Sequence, residues 1–346
     1  MALFSNDLGV DLGTSNVLIY VTNKGVVVRE PSVVAMDKNT GKILEVGAKA
    51  RNMLGRTPGN VVAVHPLKDS VISDHELTVR MLQEQFREAT KGQKIFTPKP
   101  RVIICVPSGI TQVEERTVIS AAIEAGARRV YLIEEPLAAA LGAGLDISGP
   151  KGHMIVNIGG GTTNIAVLTL NSVATSSSIK IAGNSFDETI ARYVRRRHGV
   201  VIGQTTAEDI KIRIGCVVGR DEDASITVRG RDAQTGMPQE VTLYSSEIAE
   251  VLFRPARQIA DEVLSVLENT SPELVSDIAE NGITLTGGGA QLFGMAQAIA
   301  ERTGIHCSVA DDPGSCVAYG CGKSLAWINK MPEGPINIAR RRLMRG

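Results

Sequence analysis

Gly9-Val10-Asp11-Leu12-Gly13-Thr14-Ser15-Asn16 and, far downstream, Ile155-Val156-Asn157-Ile158-Gly159-Gly160-Gly161-Thr162-Thr163-Asn164 decide how this chain folds. Each is an apolar run, then a carboxylate or its amide, then glycine, threonine and small polar residues. Each leads into a second apolar run, Val17–Val21 or Ile165–Leu170. The pattern predicts a strand, a tight turn and a strand. Glycine lets the backbone come close to an anion and point N–H groups at it. A single copy reads as a hairpin turn. Two copies, one in each half, predict a polyphosphate gripped from opposite sides.

The chain has 346 residues, enough for about two domains with a substantial core. Lys plus Arg and Asp plus Glu both number 37. That balance argues against a nucleic-acid partner, which needs a basic footprint, and it leaves self-association open. Aromatic residues make up 3%, too few for a base-stacking platform. Cys105, Cys216, Cys307, Cys316 and Cys321 are dispersed, with no Cys-x-x-Cys. They read as buried thiols in a reducing compartment, not as a metal site. No apolar run of about 18 residues predicts a spanning helix, and Met1–Phe4 is too short for a signal peptide. A cytoplasmic protein is expected, with attachment to a membrane surface open.

The first part reads as strands, with Asn39-Thr40-Gly41 turning Val33–Met36 back on Ile43–Val46. Asp74 is a helix N-cap for a helix to Thr90, and Thr111–Ala125 is helical, closed by Gly126. Val102–Val106 and Val130–Ile133 are buried strands, and the alanine-rich helix Pro136–Gly144 should pack closely. The second half repeats the grammar. Its helices are Phe186–Arg197, Thr206–Ile214, Ser246–Asn269 and one opened by Thr286-Gly287-Gly288-Gly289-Ala290 that runs to Thr303. A closing helix spans Ser315–Asn329. Strand–helix–strand connections imply mostly parallel pairing with helices on the faces, and ligands between the halves.

The two loops, Glu135-Pro136-Leu137-Ala138-Ala139-Ala140 and Leu285-Thr286-Gly287-Gly288-Gly289 resemble the actin/Hsp70/sugar-kinase nucleotide-binding superfamily. A finer resemblance is to the MreB/Mbl group of bacterial actins. It is carried by Glu30-Pro31-Ser32-Val33-Val34-Ala35, Gly55-Arg56-Thr57-Pro58-Gly59, Cys105-Val106-Pro107-Ser108, Glu134-Glu135-Pro136, Thr205-Thr206-Ala207-Glu208-Asp209-Ile210-Lys211 and Ala310-Asp311-Asp312-Pro313. It runs from Asp7 to Gly322. The resemblance implies an actin-like two-domain α/β fold of duplicated RNase H-like halves, each with a smaller subdomain, around a nucleotide cleft. The first half is then residues 1–147, with a small subdomain near 31–75. The second is 148–330, with a small subdomain near 182–244 and an adenosine loop at 285–290, and 331–346 is a basic tail.

The same resemblance implies ATP and Mg²⁺ as ligands. Asp11 is expected to hold Mg²⁺, through water. Gly13, Thr14, Ser15 and Asn16 on one side, and Asn157, Gly159, Gly160, Gly161 and Thr162 on the other, are expected to hold the phosphates. Glu208 and Lys211, one helical turn apart, share a face that would meet ribose and adenine, with Asp209 and Ile210 beside them. Gly287, Gly288, Gly289 and Ala290 would pack against the nucleoside. Glu135 stands at the catalytic position and Thr162 is its helper in slow ATP hydrolysis. Without the resemblance, Glu208 and Lys211 would read as a surface ion pair, and Glu135 as a helix-start carboxylate.

Two positions depart from the family pattern. Asn157 stands where an Asp is usual, and Asn164 where Glu or Asp is usual. ATP binding should persist on backbone donors while hydrolysis is weakened or altered. The resemblance further implies head-to-tail self-association into paired antiparallel protofilaments, wall-elongation membrane proteins as partners, and a peripheral location on the inner face of the cell membrane. It implies a role in rod shape through peptidoglycan synthesis. Ile95 and Phe96, in a polar loop, read as a membrane-inserting pair or as an anchor on their own domain. The basic run Arg340–Arg345 reads as a solvated tail or a contact with anionic lipid. A hydrolysis-poor paralogue that regulates a main filament is the alternative, and a small-molecule kinase on the same fold a more distant one. An Hsp70-like chaperone would need a substrate domain after the closing helix, for which the sequence leaves too few residues.

Overall fold

The computed structural model describes residues 7–92, 98–328 and 336–337. Ile95 and Phe96, Met1–Phe4 and the Arg340–Arg345 run lie outside the described residues.

Each phosphate-loop motif forms the hairpin its pattern predicts. Leu8–Leu12 pairs antiparallel with Asn16–Val21, which pairs antiparallel with Gly25–Pro31. On its other edge Leu8–Leu12 pairs parallel with Arg101–Val106, and that strand with Arg129–Glu134. The second half repeats this. His153–Ile158, Thr163–Thr169 and Ser172–Ile179 form the antiparallel meander. Ile283–Thr286 and then Cys307–Val309 extend it in parallel. The sheets are therefore mixed, not mostly parallel. A turn of three or four residues can only return the chain antiparallel, while the later strands arrive through helical crossovers.

Two small sheets sit apart from these. One comprises Val34–Asp37, Ile43–Val46 and Val61–Val64, and the other Val200–Val201, Ser225–Asp232 and Pro238–Tyr244. The Asp74 cap accepts from Leu77 N at 3.0 Å and starts the helix His75–Ala89. Thr111 and Glu114 form a capping box on Gln112–Glu124, satisfying donors the helix start would leave orphaned.

The large sheets are joined by the helix Glu135–Ala143 and the closing helix Cys316–Ile328. They cross so closely that a Cβ on Gly142 would overlap the Cys316 carbonyl, and one on Gly320 the Ala138 carbonyl. Ala138, Ala139 and Ala140 are fully buried there, in one cluster with Ile103 and Ile133 of the first sheet and Ile155 and Leu168 of the second. That shared core fixes how the two loops face each other.

Several elements differ from the sequence pattern. The expected helix from Thr286 to Thr303 is a 3-10 turn, Gly288–Gln291, followed by a separate helix, Met295–Thr303. Leu292 is extended and Gly294 left-handed (φ 82°), which breaks the helical ladder. Helix Pro272–Asn281 and the short pairs Leu67–Lys68 and Val71–Ile72 carry too few apolar residues to have stood out.

Candidate functional site

The two turns close the same way. Gly13 N donates to Asn16 O at 3.1 Å, and Gly159 N donates to Thr162 O at 2.9 Å. They face one another across the gap between the halves. A Cβ on Gly160 would overlap the Ser15 hydroxyl, and one on Gly161 would lie 2.7 Å from Thr14 Oγ1. Only glycine allows this approach. Each turn is braced from behind. Ser32 Oγ donates to Gly13 O at 2.6 Å, and Ser32 N to Ser15 O at 2.9 Å. Gly183 N and Asn184 N, opening the helix Gly183–His198, donate to Gly159 O and Gly160 O at 3.0 and 2.8 Å. Ser15 Oγ donates to Asn184 Oδ1 at 3.2 Å, tying the first half to the second.

Behind the turns lies a buried polar floor. Glu135, the first residue of its helix, is 8% exposed. Asn157 and Asn164 are directly opposed across the second hairpin, and both donate Nδ2 to the same oxygen, Glu135 Oε1, at 2.5 and 2.7 Å. Thr286 Oγ1 donates to Asn157 Oδ1 at 3.0 Å. Among the described residues nothing donates to buried Asn164 Oδ1. Burial pushes the Glu135 carboxyl up, and the two amide donors oppose it. Asp11, partly buried, is pushed up to about 7 by burial and then by the Glu135 charge, against the Cys105 thiol, which donates to its Oδ1 at 3.3 Å. All five cysteines are free and buried.

Such an Asp11 is a carboxylate short of positive charge, which suits a cation. Among the described residues no group of three or more His, Cys, Asp or Glu side chains is arranged to hold a metal by itself. Mg²⁺ takes one or two carboxylates and completes its shell with phosphate oxygens and water, so a site for it needs no such group.

Beside the floor opens a cavity of about 600 Å³, within the usual range of ligand sites of roughly 300–1,000 Å³. Ser15, Gly159 and Gly160 line one end. Glu208, Lys211 and Ile212 of one face of the helix Gln204–Ile214 and Gly215 just past its end, with Gly288, Gly289 and Phe293, line the other. Lys211 Nζ pairs with Asp187 Oδ1 at 2.8 Å and donates to Gly183 O at 3.0 Å, so it braces the second turn's support. Burial raises the Asp187 carboxyl to about 6 although Lys211 opposes it. Glu208 pairs with Arg51 of the first half at 2.5 Å. Arg220 lies over the Phe293 ring, 4.6 Å from its centroid.

The expected site residues thus separate. Ser15, Gly159, Gly160, Glu208, Lys211, Gly288 and Gly289 line the cavity, while Asp11, Gly13, Thr14, Glu135, Asn157, Gly161 and Thr162 form the turns and floor beside it. Asp209 is exposed and Ile210 fully buried, because successive helical residues point about 100° apart and cannot share the Glu208–Lys211 face. Ala290 faces the core and Gly287 (φ 82°) sits against Ile158 and Asn157, both away from the cavity. Asn16 closes its turn through its carbonyl, and its side chain is exposed. Gly183, Asn184, Ile212, Arg220, Phe293, Arg51 and Ser70 escaped the sequence reading. Only the helix period from Glu208 and Lys211 to Ile212 pointed to any of them.

A family model described as MreB/Mbl protein matches residues 5–333. The chain is 50% identical over 331 residues to the cell shape-determining protein MreB of Escherichia coli (strain K12), covering 94% of this chain and 95% of that protein. It is 48% identical over 331 residues to the cell shape-determining protein Mbl of Bacillus subtilis (strain 168), covering 96% and 99%. The crystal structure of MreB5 of Spiroplasma citri bound to ADP superposes with a TM-score of 0.89 at 39% identity, over 93% of this chain and 97% of that one. The MamK double helical filament shares the fold, with a TM-score of 0.77 at 24% identity over 94% and 99%. The fold is actin-like.

Proposed function

Because this chain belongs to the MreB/Mbl family of bacterial actin homologues, we propose that it determines cell shape as an ATP-binding, filament-forming protein. The observation that carries the nucleotide reading is the pair of facing turns, Gly160 against Ser15 and Gly161 against Thr14, opening onto the cavity. In this reading residues 1–147 and 148–330 are the two jaws. Turn N–H groups and the Thr14 and Ser15 hydroxyls hold the polyphosphate. The Glu208–Lys211 face and Phe293 receive ribose and adenine. The solved relatives bound to ADP and AMPPNP support this ligand class.

Asp11 would hold Mg²⁺, which would supply positive charge to offset that of the phosphates. Glu135 keeps one oxygen, Oε2, clear of the Asn157 and Asn164 amides, and that oxygen is the acceptor that orients water, with Thr162 beside it. Burial raises the basicity of this carboxylate while the two amides oppose the rise, and the expected turnover is slow. The double amide clamp on Oε1 also favours a second reading of the same filament, in which hydrolysis is nearly absent and the chain regulates or co-polymerises with a main filament.

Filaments form by head-to-tail repetition, a contact that does not close on itself, and pair antiparallel. Among the described residues no helix is long and apolar enough to cross a membrane. Attachment to the inner face of the cell membrane then rests on weak contacts, including Ile95 and Phe96, multiplied along a filament. Wall-elongation membrane proteins are the partners through which such a filament organises peptidoglycan synthesis in rod-shaped cells. Pelleting with liposomes in ATP, ADP or a non-hydrolysable analogue, read beside phosphate release, tests this. Nucleotide-dependent pelleting is expected. Pelleting in no nucleotide state would refute the filament reading, and pelleting without phosphate release would favour the second reading.

A further inference from the structure

Asp69 and Ser70 form the tip of the hairpin that joins Leu67–Lys68 to Val71–Ile72. Both are left-handed, with φ of 50° and 62°. A two-residue turn of this hand favours glycine at its second position, because a Cβ there crowds the backbone. Ser70 carries that strain, and it bonds to both phosphate turns where Gly161 meets Thr14. Its Oγ lies 3.0 Å from Thr162 Oγ1 of the second turn, and its N–H donates to Thr14 Oγ1 of the first at 2.8 Å. Thr14 and Thr162 are 7% and 6% exposed. The tip packs on Gly161, whose Cβ would lie 3.1 Å from Asp69 Cα, and Asp69 pairs with Lys180 at 3.2 Å. A first-half hairpin is thereby docked on both turns.

We propose that Ser70 is a positioning residue for ATP hydrolysis, its hydroxyl fixing the rotation of the Thr162 hydroxyl. This rests on the reading that Thr162 and Glu135 orient the attacking water. A hydroxyl has one proton and two lone pairs. Asn164 Nδ2, 3.4 Å away, can only donate to Thr162. Ser70 occupies a second direction, which leaves one for a water or phosphate oxygen. Without Ser70 Oγ, only the long Asn164 contact is left to orient the Thr162 hydroxyl. Such strain persists only where the surroundings over-determine it, and functional sites are among the places where it gathers.

The test is single-turnover phosphate release and nucleotide affinity for wild type, Ser70→Gly, Ser70→Ala, Thr162→Ala and the Ser70→Gly/Thr162→Ala pair. Ser70→Gly keeps the N–H to Thr14 and relieves the turn, so its melting temperature stays level or rises. Its release rate is expected to fall about tenfold with nucleotide affinity within about twofold. Ser70→Ala should match that loss although its turn stays strained, and the double variant should be no slower than Thr162→Ala alone. A merely structural turn would let rate follow stability, leaving Ser70→Gly as active as wild type. That result, with Thr162→Ala slow, overturns the role of Ser70 alone. Thr162→Ala at the wild-type rate, or a wild type that releases no phosphate, overturns the hydrolytic reading and this proposal with it.

Discussion

Asn157→Asp places a carboxylate oxygen where an amide now donates to Glu135 at 2.5 Å. Two charges at that separation repel by about 7 kcal/mol at an effective dielectric of about 20. Holding a proton costs only about 1.4 kcal/mol per pH unit above the group's ordinary pKa, so the buried pair takes one up. An Asp of unfolded pKa about 3.9 kept protonated in the native state costs roughly 1.5 kcal/mol at pH 5 and up to about 5.6 kcal/mol at pH 8. The sign follows from proton count. The native variant binds the extra proton more tightly than the unfolded chain, so its stability falls as pH rises from the unfolded pKa to the folded one. Relative to wild type, the variant should therefore lose up to about 4 kcal/mol more at pH 8 than at pH 5. Urea unfolding of both proteins between pH 5 and 8, without metal or nucleotide, measures this. A difference that stays constant within about 1 kcal/mol across that range would refute the claim that Asn157 is a neutral donor holding a charged Glu135.

Other consequences follow from the same geometry. Asp187 is 3% exposed with its carboxyl raised to about 6, so its ionisation opposes folding between its ordinary value and pH 6. Asp187→Asn removes that titration, and wild type should lose about 2.4 kcal/mol relative to it between pH 4 and 7, which chemical unfolding would read. Arg51 and Glu208 bridge the halves at 2.5 Å, with about a third of each side chain exposed. A double-mutant cycle on stability should give a coupling of only about 0.5–1 kcal/mol, mostly lost at about 1 M salt.

The two hairpins were legible because glycine runs between apolar segments leave few backbone options. Helix faces were legible where the period was clean, so Glu208 and Lys211 were placed together. Asp209 and Ile210 came in only as neighbours in the motif, and the helix period separates them from the site. The sequence could not announce the contacts that close the site, since Ser70–Thr162, Arg51–Glu208 and Ser15–Asn184 join residues 92, 157 and 169 positions apart. No local pattern encodes such pairs. The departure at Asn157 and Asn164 was visible as chemistry, but only the hairpin register shows both amides converging on one oxygen of Glu135. Glycine told of a turn after Thr286, yet Gly294, which splits the expected helix, reads in sequence like any tolerated helical glycine.

The central claim is that a polyphosphate is held between the facing turns. Calorimetric titration of ATP with Mg²⁺ into wild type and Gly160→Ala tests it most directly, because the added Cβ would overlap the Ser15 hydroxyl and push the turns apart. One nucleotide is expected per wild-type chain, with an affinity at least about tenfold weaker in the variant, or about 1.4 kcal/mol. Equal affinity in a folded Gly160→Ala protein would contradict it.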